Sequence, residues 1–140
     1  MRFGRFFLVL LASVLWFSAA SAEDALPPEA GIEATITAQI DAFLEDDFAE
    51  AFSHASPNIQ GMFGSSDRFG QMVRNGYPMV WRPGDVQYLE LRDVSGALWQ
   101  KVMIRDRQGK VHVLDYQMIQ TSEGWKINGV QILAEPGVSA

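Results

Sequence analysis

The sequence predicts an α+β domain in which three N-terminal helices pack on a curved antiparallel sheet of four to five strands. Up to about residue 76, apolar residues recur at spacings of three and four, which is typical of amphipathic helices. From residue 79 onward the chain is rich in Val, Ile, Tyr and Trp, which favour strands. Helices that precede strands are typical of an α+β domain, with the helices laid against one face of the sheet. With 140 residues, of which 48% are hydrophobic, we expect one core.

The first two helices are predicted from an apolar stripe and a cap. The stripe of the first helix consists of Ile32, Ile36, Ile40, Phe43 and Leu44. Gln39 is expected to lie mainly off this stripe. The second helix begins after Asp47, because Glu50 follows three residues later and completes a capping box. One uninterrupted helix is the alternative, because the apolar spacing continues across the junction.

The third helix follows a short connector. Ser56-Pro57 is expected to end the second helix, because proline disfavours helical geometry in the residue before it. Residues 59–63 are expected to form an apolar connector. Ser65 or Ser66 can then cap the third helix, whose apolar face consists of Phe69, Met72 and Val73.

The remainder of the chain predicts a meander of strands. Four segments are rich in strand-forming residues: 85–94, 98–106, 111–120 and 125–133. Residues 79–81 form a shorter possible strand before them. The turns between them are short and contain glycine, so consecutive strands should be antiparallel neighbours. Asn128-Gly129, inside the last strand, indicates a β-bulge, which bends a sheet.

The N-terminal residues are typical of a secretory signal peptide rather than of a folded element. Residues 1–5 are basic, residues 6–17 (FFLVLLASVLWF) are apolar, and Ala20 and Ala22 occupy the −3 and −1 positions of a cleavage site. We therefore expect cleavage after Ala22, a periplasmic or extracellular protein, and no stable membrane insertion after cleavage. An uncleaved anchor is the alternative, although the apolar run is shorter than the roughly 20 residues that span a bilayer.

The chain then divides into three further segments. Residues 23–31 are expected to be a flexible acidic leader, residues 32–133 a single domain, and residues 134–140 a polar tail.

Composition excludes several classes of function. The formal net charge of −6 argues against a nucleic-acid partner, which would need clustered Lys and Arg. The chain has no cysteine, which excludes disulfides, thiolate catalysis and iron–sulfur clusters. No phosphate loop, nucleophile elbow or metal-ligand spacing is present, so we expect no cofactor and no metal. The acidic cluster of Glu45, Asp46, Asp47 and Glu50 lacks the pattern of a calcium loop and is interpreted as helix capping.

Two segments resemble nuclear-transport-factor-2-like domains. Residues 40–52 (IDAFLEDDFAEAF) are similar to the opening of such domains, where an acidic turn separates two helices, and residues 123–132 (EGWKINGVQI) resemble their last strand. More closely, residues 32–133 resemble an uncharacterised family of secreted bacterial proteins in that superfamily, a domain of unknown function. The elements that carry this resemblance are Phe69, Met72-Val73, Gly76-Tyr77-Pro78, Gly124-Trp125 and Ile127. The resemblance implies a cone-shaped α+β fold, sometimes dimeric through its sheet, and no assigned activity.

One predicted strand carries the candidates for acid–base chemistry. His112 and Tyr116 share one face of the strand over residues 111–120, whereas Asp115 lies on the other face. If the first face points inward, His112 and Tyr116 enter one cavity and can bind a polar group or act as acid and base. If the second face points inward, Asp115 lines the cavity, as an aspartate does in enzymes that resemble this fold. Half-buried sheet residues with satisfied hydrogen bonds are the alternative to both.

The sequence predicts a binding protein in the first place. The mouth of the cone is expected to bind a small molecule or an envelope protein, without catalysis. The residues expected to line it are Tyr77, Met79, Trp81, Arg82, His112 and Tyr116. A small cofactor-free enzyme that uses His112, Tyr116 or Asp115 is one alternative, and a structural homodimer of the cell envelope is another.

Overall fold

The computed structural model describes residues 25–133 and contains a five-stranded antiparallel sheet and five helices in that range. In chain order the elements are β1 (Ala25–Leu26), α1 (Ala30–Leu44), α2 (Phe48–Ser53), α3 (Pro57–Phe63), α4 (Ser66–Gly76), α5 (Pro78–Trp81), β2 (Pro83–Val94), β3 (Ala97–Asp106), β4 (Val111–Thr121) and β5 (Gly124–Ile132). The predicted α+β class is confirmed. The predicted signal peptide and polar tail lie outside the described residues.

The break between α1 and α2 follows from local chemistry. α1 ends at Leu44, and Asp46 then takes a left-handed conformation with φ of 55°. The Oδ1 atom of Asp47 accepts a hydrogen bond from the backbone N–H of Glu50 at 3.1 Å, so the predicted cap is confirmed. Ser65 caps α4 in the same way, through the backbone N–H of Arg68 at 3.2 Å.

The prediction of three helices was wrong, because it missed two short helices. Residues 59–63 belong to α3, whose first residue is Pro57 and whose cap is Ser56. The preceding helix, α2, ends earlier than expected, at Ser53, and the fixed φ of Pro57 suits the first position of a new helix. Residues 79–81 form the single-turn helix α5 rather than a strand, again with a proline, Pro78, at its start.

The sheet is an open meander in the order β1-β2-β3-β4-β5. Ser95 and Gly96 both have positive φ, 53° and 88°, which suits a tight hairpin between β2 and β3. The predicted bulge in the last strand is confirmed. Gln117 pairs with Gly129 and the next residue pairs with Ile127, so Asn128 is the extra residue of β5.

The segment interpreted as a flexible leader is partly ordered. Ala25 pairs with Arg92 and Leu26 pairs with Leu91, so β1 forms one edge of the sheet. α1 begins within the same segment, at Ala30, and Glu29 caps it through the N–H of Gly31 at 3.2 Å. Backbone pairing with β2 fixes these residues although they lack hydrophobic periodicity.

The core lies between the helices and one face of the sheet. Its largest fully buried members include Ile32 and Phe43 from α1 and Ile104, Leu114 and Tyr116 from the sheet. Within residues 25–133, no helix has the length and apolar character needed to cross a membrane.

Candidate functional site

A cavity of about 230 Å³ lies between the helices and the β4–β5 side of the sheet. Ile59 and Met62 from α3 and Met72 from α4 line its helical side, while Tyr116 and Val130 line its sheet side. Met62 is 68% exposed, so the cavity reaches the surface beside α3. The cavity, called the chamber below, is therefore an apolar pocket partly open to solvent, with a flexible methionine at its rim.

Packed aromatic rings hold the helices that surround this cavity. The ring centroid of Phe69 lies 5.8 Å from that of Phe43, 5.2 Å from that of Phe52 and 5.7 Å from that of Phe63. These contacts join α1, α2, α3 and α4 around one side chain. The predicted third helix corresponds to α4. Its apolar face, which includes Phe69, thus holds together the helical side of the chamber.

Tyr116 is one of three polar residues, with Gln39 and Tyr77, that border the chamber. Its side chain is fully buried, and its hydroxyl is the one buried side-chain polar atom without a hydrogen-bond partner among residues 25–133. Burial raises the pKa of this phenol well above its usual value, and the nearby phenols of Tyr88 and Tyr77 raise it further. Tyr116 therefore keeps its proton, and its hydroxyl lies beneath the surface that a water-sized group can touch.

The other polar groups nearby have partners. The hydroxyl of Tyr77 donates to the carbonyl of Val130 at 3.0 Å, and the amide of Gln39 donates to the carbonyl of Ala51 at 3.1 Å. Gln39 is buried, contrary to its expected place off the apolar stripe, because it lies three residues after Ile36 and faces α2. Its spacing of three from Ile36 and four from Phe43 is the signal that could have placed it in the core.

No charged side chain lines the chamber within the described part of the chain. A buried charge without a partner is costly, so this lining favours a neutral guest. The chamber can hold a small, largely apolar molecule.

The structure divides the predicted ligand-binding residues between two cavities. Tyr77 and Tyr116 line the chamber just described. Four others, Met79, Trp81, Arg82 and His112, line a separate cleft of about 240 Å³ together with the loop between β3 and β4. His112 and Tyr116 do share the inward face of β4, but they do not enter the same cavity.

The polar groups of the cleft are largely engaged in holding the fold. The Nε2 atom of His112 lies 2.9 Å from Oδ2 of Asp106, whose other oxygen accepts the backbone N–H groups of Gln108 and Lys110. The hydrogen bond from His112 lowers the pKa of Asp106 most, and those two backbone N–H groups also lower it. Arg82 donates to the backbone carbonyl of Phe43 at 2.7 Å.

Asp115 lies on the opposite face of the sheet from Tyr116. Its two carboxylate oxygens accept hydrogen bonds from the two terminal nitrogens of Arg92, at 2.7 and 2.8 Å, and both side chains are buried. This bidentate pair links β2 to β4 across β3. The three candidate acid–base residues, His112, Tyr116 and Asp115, thus occupy three different environments.

The acidic cluster between α1 and α2 serves structural contacts. Asp46 accepts hydrogen bonds from the indole of Trp81 at 2.9 Å and from Arg82 at 2.8 Å. Asp47 caps α2, and Glu50 pairs with His54 at 3.0 Å. These contacts join the α1–α2 turn to α5 and agree with the interpretation as capping rather than as a calcium loop.

Comparison with known proteins identifies a family. The model of a family described as a domain of unknown function (DUF4864) matches residues 25–140. No curated protein and no solved structure matches the chain. A function therefore has to be inferred from the side chains around the two cavities.

Proposed function

Since the chain belongs to this family of unknown function, we propose a function from its own side chains: it binds a small, largely apolar molecule in the chamber above Tyr116. The observation that carries this proposal is a cavity of about 230 Å³ whose described lining is largely apolar and contains no charged side chain. Close packing leaves few spaces larger than a water molecule, so an apolar cavity of this size between the helices and the sheet calls for a reason.

The volume of the chamber suits a small organic molecule. An engineered apolar cavity of about 150 Å³ in another protein binds benzene. A chamber of about 230 Å³ has room for a somewhat larger guest, such as a substituted ring. Met62 and Met72 can adjust their side chains around guests of different shape, because methionine is unbranched and flexible.

The proposal is one of binding rather than catalysis. General acid–base chemistry needs a titrating group within hydrogen-bond reach of the substrate. The described lining of the chamber contains no Asp, Glu or His, and Tyr116 is held in its protonated form by burial. His112 and Asp115, the other two candidates, lie outside this chamber.

We extend the proposal to fold family and location. Membership of the nuclear-transport-factor-2-like superfamily, with a cone-shaped fold, is supported by α-helices that precede an antiparallel meander and by the bulged last strand. Export to the periplasm or the exterior is supported by the pattern of residues 1–22. Intact-mass analysis of a periplasmic fraction should find a chain that begins at Glu23, and a full-length chain in the membrane would contradict export.

Native mass spectrometry tests the binding function. The full chain, expressed in a Gram-negative host with its own leader and purified from the periplasm without organic solvent, should retain a small molecule. Val73→Phe, which places a ring in the chamber, should lose that molecule. Val86→Phe enlarges a half-buried valine that does not line the chamber and should keep it.

Three outcomes would contradict the binding function. One is equal retention of the molecule by both variants. Another is a bare chain that also fails to take up added naphthalene. The third is a clean dimer with nothing bound, which would support the structural alternative.

A further inference from the structure

The chamber presents a particular set of side chains to a guest. Eight of its fifteen described lining residues are buried, so they leave little or no surface for a guest to touch. Seven are half-buried or exposed, and four of these carry an aromatic ring or a thioether: Met62, Phe63, Met72 and Tyr77. The surface that a guest meets is therefore rich in rings and sulfur atoms.

We propose that the guest contains an aromatic ring, and that Phe63, Met62 and Met72 select this ring over a saturated ring of similar size. This inference rests on the proposed binding function. It adds the chemical class of the ligand and names the side chains that recognise it.

Two of the accessible rings are held in place by contacts within the protein. Phe63 packs edge-on against Phe69, with ring centroids 5.7 Å apart and ring planes at 66°. The hydroxyl of Tyr77 donates to the carbonyl of Val130 at 3.0 Å, which ties its ring to β5. An aromatic guest beside fixed rings gains the offset-stacked or edge-to-face contacts that aromatic pairs prefer, without the cost of ordering those rings. A saturated ring has no quadrupole to match and gains apolar burial alone.

The two methionines add a second preference for an aromatic ring. A thioether sulfur makes favourable contacts with an aromatic ring, at about 5 Å, that it does not make with a saturated one. Met62 is 68% exposed at the rim of the chamber, and Met72 is half-buried in its lining. Because methionine has three rotatable bonds, both side chains can turn their sulfur atoms toward a guest.

Toluene and methylcyclohexane test the inference, because both consist of a six-membered ring with one methyl group and only toluene is aromatic. Both are volatile, so headspace gas chromatography above solutions of the periplasm-purified protein gives their free concentrations and hence their Kd values. The quantity compared is the ratio of Kd for methylcyclohexane to Kd for toluene, in the wild type and in variants. Differences in hydration between the two probes cancel when this ratio is compared between proteins.

The ratio should fall about threefold when Phe63 is replaced by Leu, and by a similar factor in the double variant Met62→Leu/Met72→Leu. Leucine keeps each position apolar and removes the ring or the sulfur atom.

Two matched controls should leave the ratio at its wild-type value. Phe52→Leu removes a ring that also packs on Phe69, at 5.2 Å between centroids, but does not line the chamber. Met103→Leu removes a thioether in β3, outside the chamber.

The failures are distinguishable. If both probes bind but the ratio is unchanged in Phe63→Leu and in the double methionine variant, the aromatic class is wrong and the binding function stands. If the ratio falls as much in the two controls, the preference does not arise in the chamber, and the inference is overturned. If neither probe binds the folded wild type, the binding function fails together with the inference.

A measurement on the wild type keeps the inference testable if Phe63→Leu does not fold. The ring protons of bound toluene should show intermolecular nuclear Overhauser effects to the ring protons of Phe63 and to the methyl group of Met72. Bound toluene that shows neither effect would overturn the inference.

Discussion

Tyr116 keeps a buried hydroxyl unpaired, which should lower the stability of the folded protein. Replacing Tyr116 by Phe removes the unsatisfied group with little change of shape. We expect the free energy of unfolding in urea to rise by up to about 1 kcal/mol. Tyr77→Phe should lower it by about 1 kcal/mol, because it leaves the carbonyl of Val130 without its donor. An equal decrease in the free energy of unfolding in the two variants would contradict the conclusion that the Tyr116 hydroxyl has no partner.

Asp115 illustrates a structural role for a residue that the sequence offers as catalytic. Asp115→Asn leaves the buried guanidinium of Arg92 without its full counter-charge, which should cost about 3 kcal/mol in urea unfolding. The control is Glu90→Gln, which breaks the partly exposed pair between Glu90 and Lys101 and should cost less than about 1 kcal/mol. Comparable losses would show that Arg92 and Asp115 do not form a stabilising pair.

Residue patterns predicted which residues share a face of β4 but not which face points inward. Period-two alternation places His112 and Tyr116 together, and both are buried beneath the helices. Asp115 is also buried, because its pairing with Arg92 satisfies its charge. Alternation alone could not resolve the inward face, since a paired charge and an apolar side chain are both compatible with burial.

At the scale of elements, helix α4 approaches α2 through a glycine. A Cβ atom built on Gly70 would lie 2.6 Å from Cδ1 of the Phe48 ring, so Gly70→Ala forces that ring to move. We expect a loss of about 1–3 kcal/mol in thermal or urea unfolding.

Gly61, in α3, provides the control for this substitution. A Cβ atom there meets nothing within 4 Å, so Gly61→Ala should stabilise the protein by about 0.5–1 kcal/mol through helix propensity. Opposite signs for the two substitutions would support the packing described, and a gain at both positions would contradict it.

The contact between the α1–α2 turn and α5 should depend on pH. Hydrogen bonds from Trp81, and then from Arg82, hold the pKa of Asp46 below its usual value of 3.8. A lowered pKa in the folded state adds stability that is complete above the unfolded value and is lost as pH falls through the folded value. The difference between the urea midpoints of wild type and Asp46→Asn should therefore be constant near neutral pH and should decrease below about pH 4.

A second variant checks the source of this pH dependence. Trp81→Phe removes the strongest of the contacts that lower the pKa of Asp46. In protein that carries Trp81→Phe, the effect of Asp46→Asn on the urea midpoint should therefore change less between neutral pH and pH below about 4. Parallel midpoints of wild type and Asp46→Asn from pH 7 to pH 2 would show that this contact does not stabilise the folded state.

Elements with local signals were predicted well, and elements without them were missed. The cap at Asp47 and the four long strands follow from residues that are close in sequence. α3 and α5 are short, begin at Pro57 and Pro78, and have few apolar repeats, so the same prolines serve equally as stops or as starts. Whether each proline ends a helix or begins one depends on the tertiary contacts of the residues that follow it.

At the scale of the whole molecule, the position of the helices decides which residues share a cavity. His112 and Tyr116 are four residues apart, which places them about 13 Å apart along an extended strand. One small guest cannot span both, and the helices fill the space between the chamber and the cleft with core side chains. Tyr77 and Tyr116, predicted from the sequence as ligand-binding residues, both line the chamber. The contribution of α3 to the chamber depends on contacts between distant segments and could not be predicted.

Methionine methyl groups allow a direct test of the central claim, which is binding in the chamber. Met62 and Met72 line the chamber, Met79 lines the neighbouring cleft, and Met103 lies in β3 outside both. In protein labelled with ¹³C at the methionine methyls, naphthalene serves as an apolar probe of suitable size. Its ring current will shift the methyl resonances of the residues that it contacts.

Titration of this labelled protein with naphthalene, followed by NMR, is the most direct measurement. The structure predicts saturable shifts of the Met62 and Met72 methyl resonances, with Met79 and Met103 unchanged, and loss of those shifts in Val73→Phe. Shifts confined to Met79 would place binding in the cleft. Absence of saturable shifts at Met62 and Met72 would contradict the account.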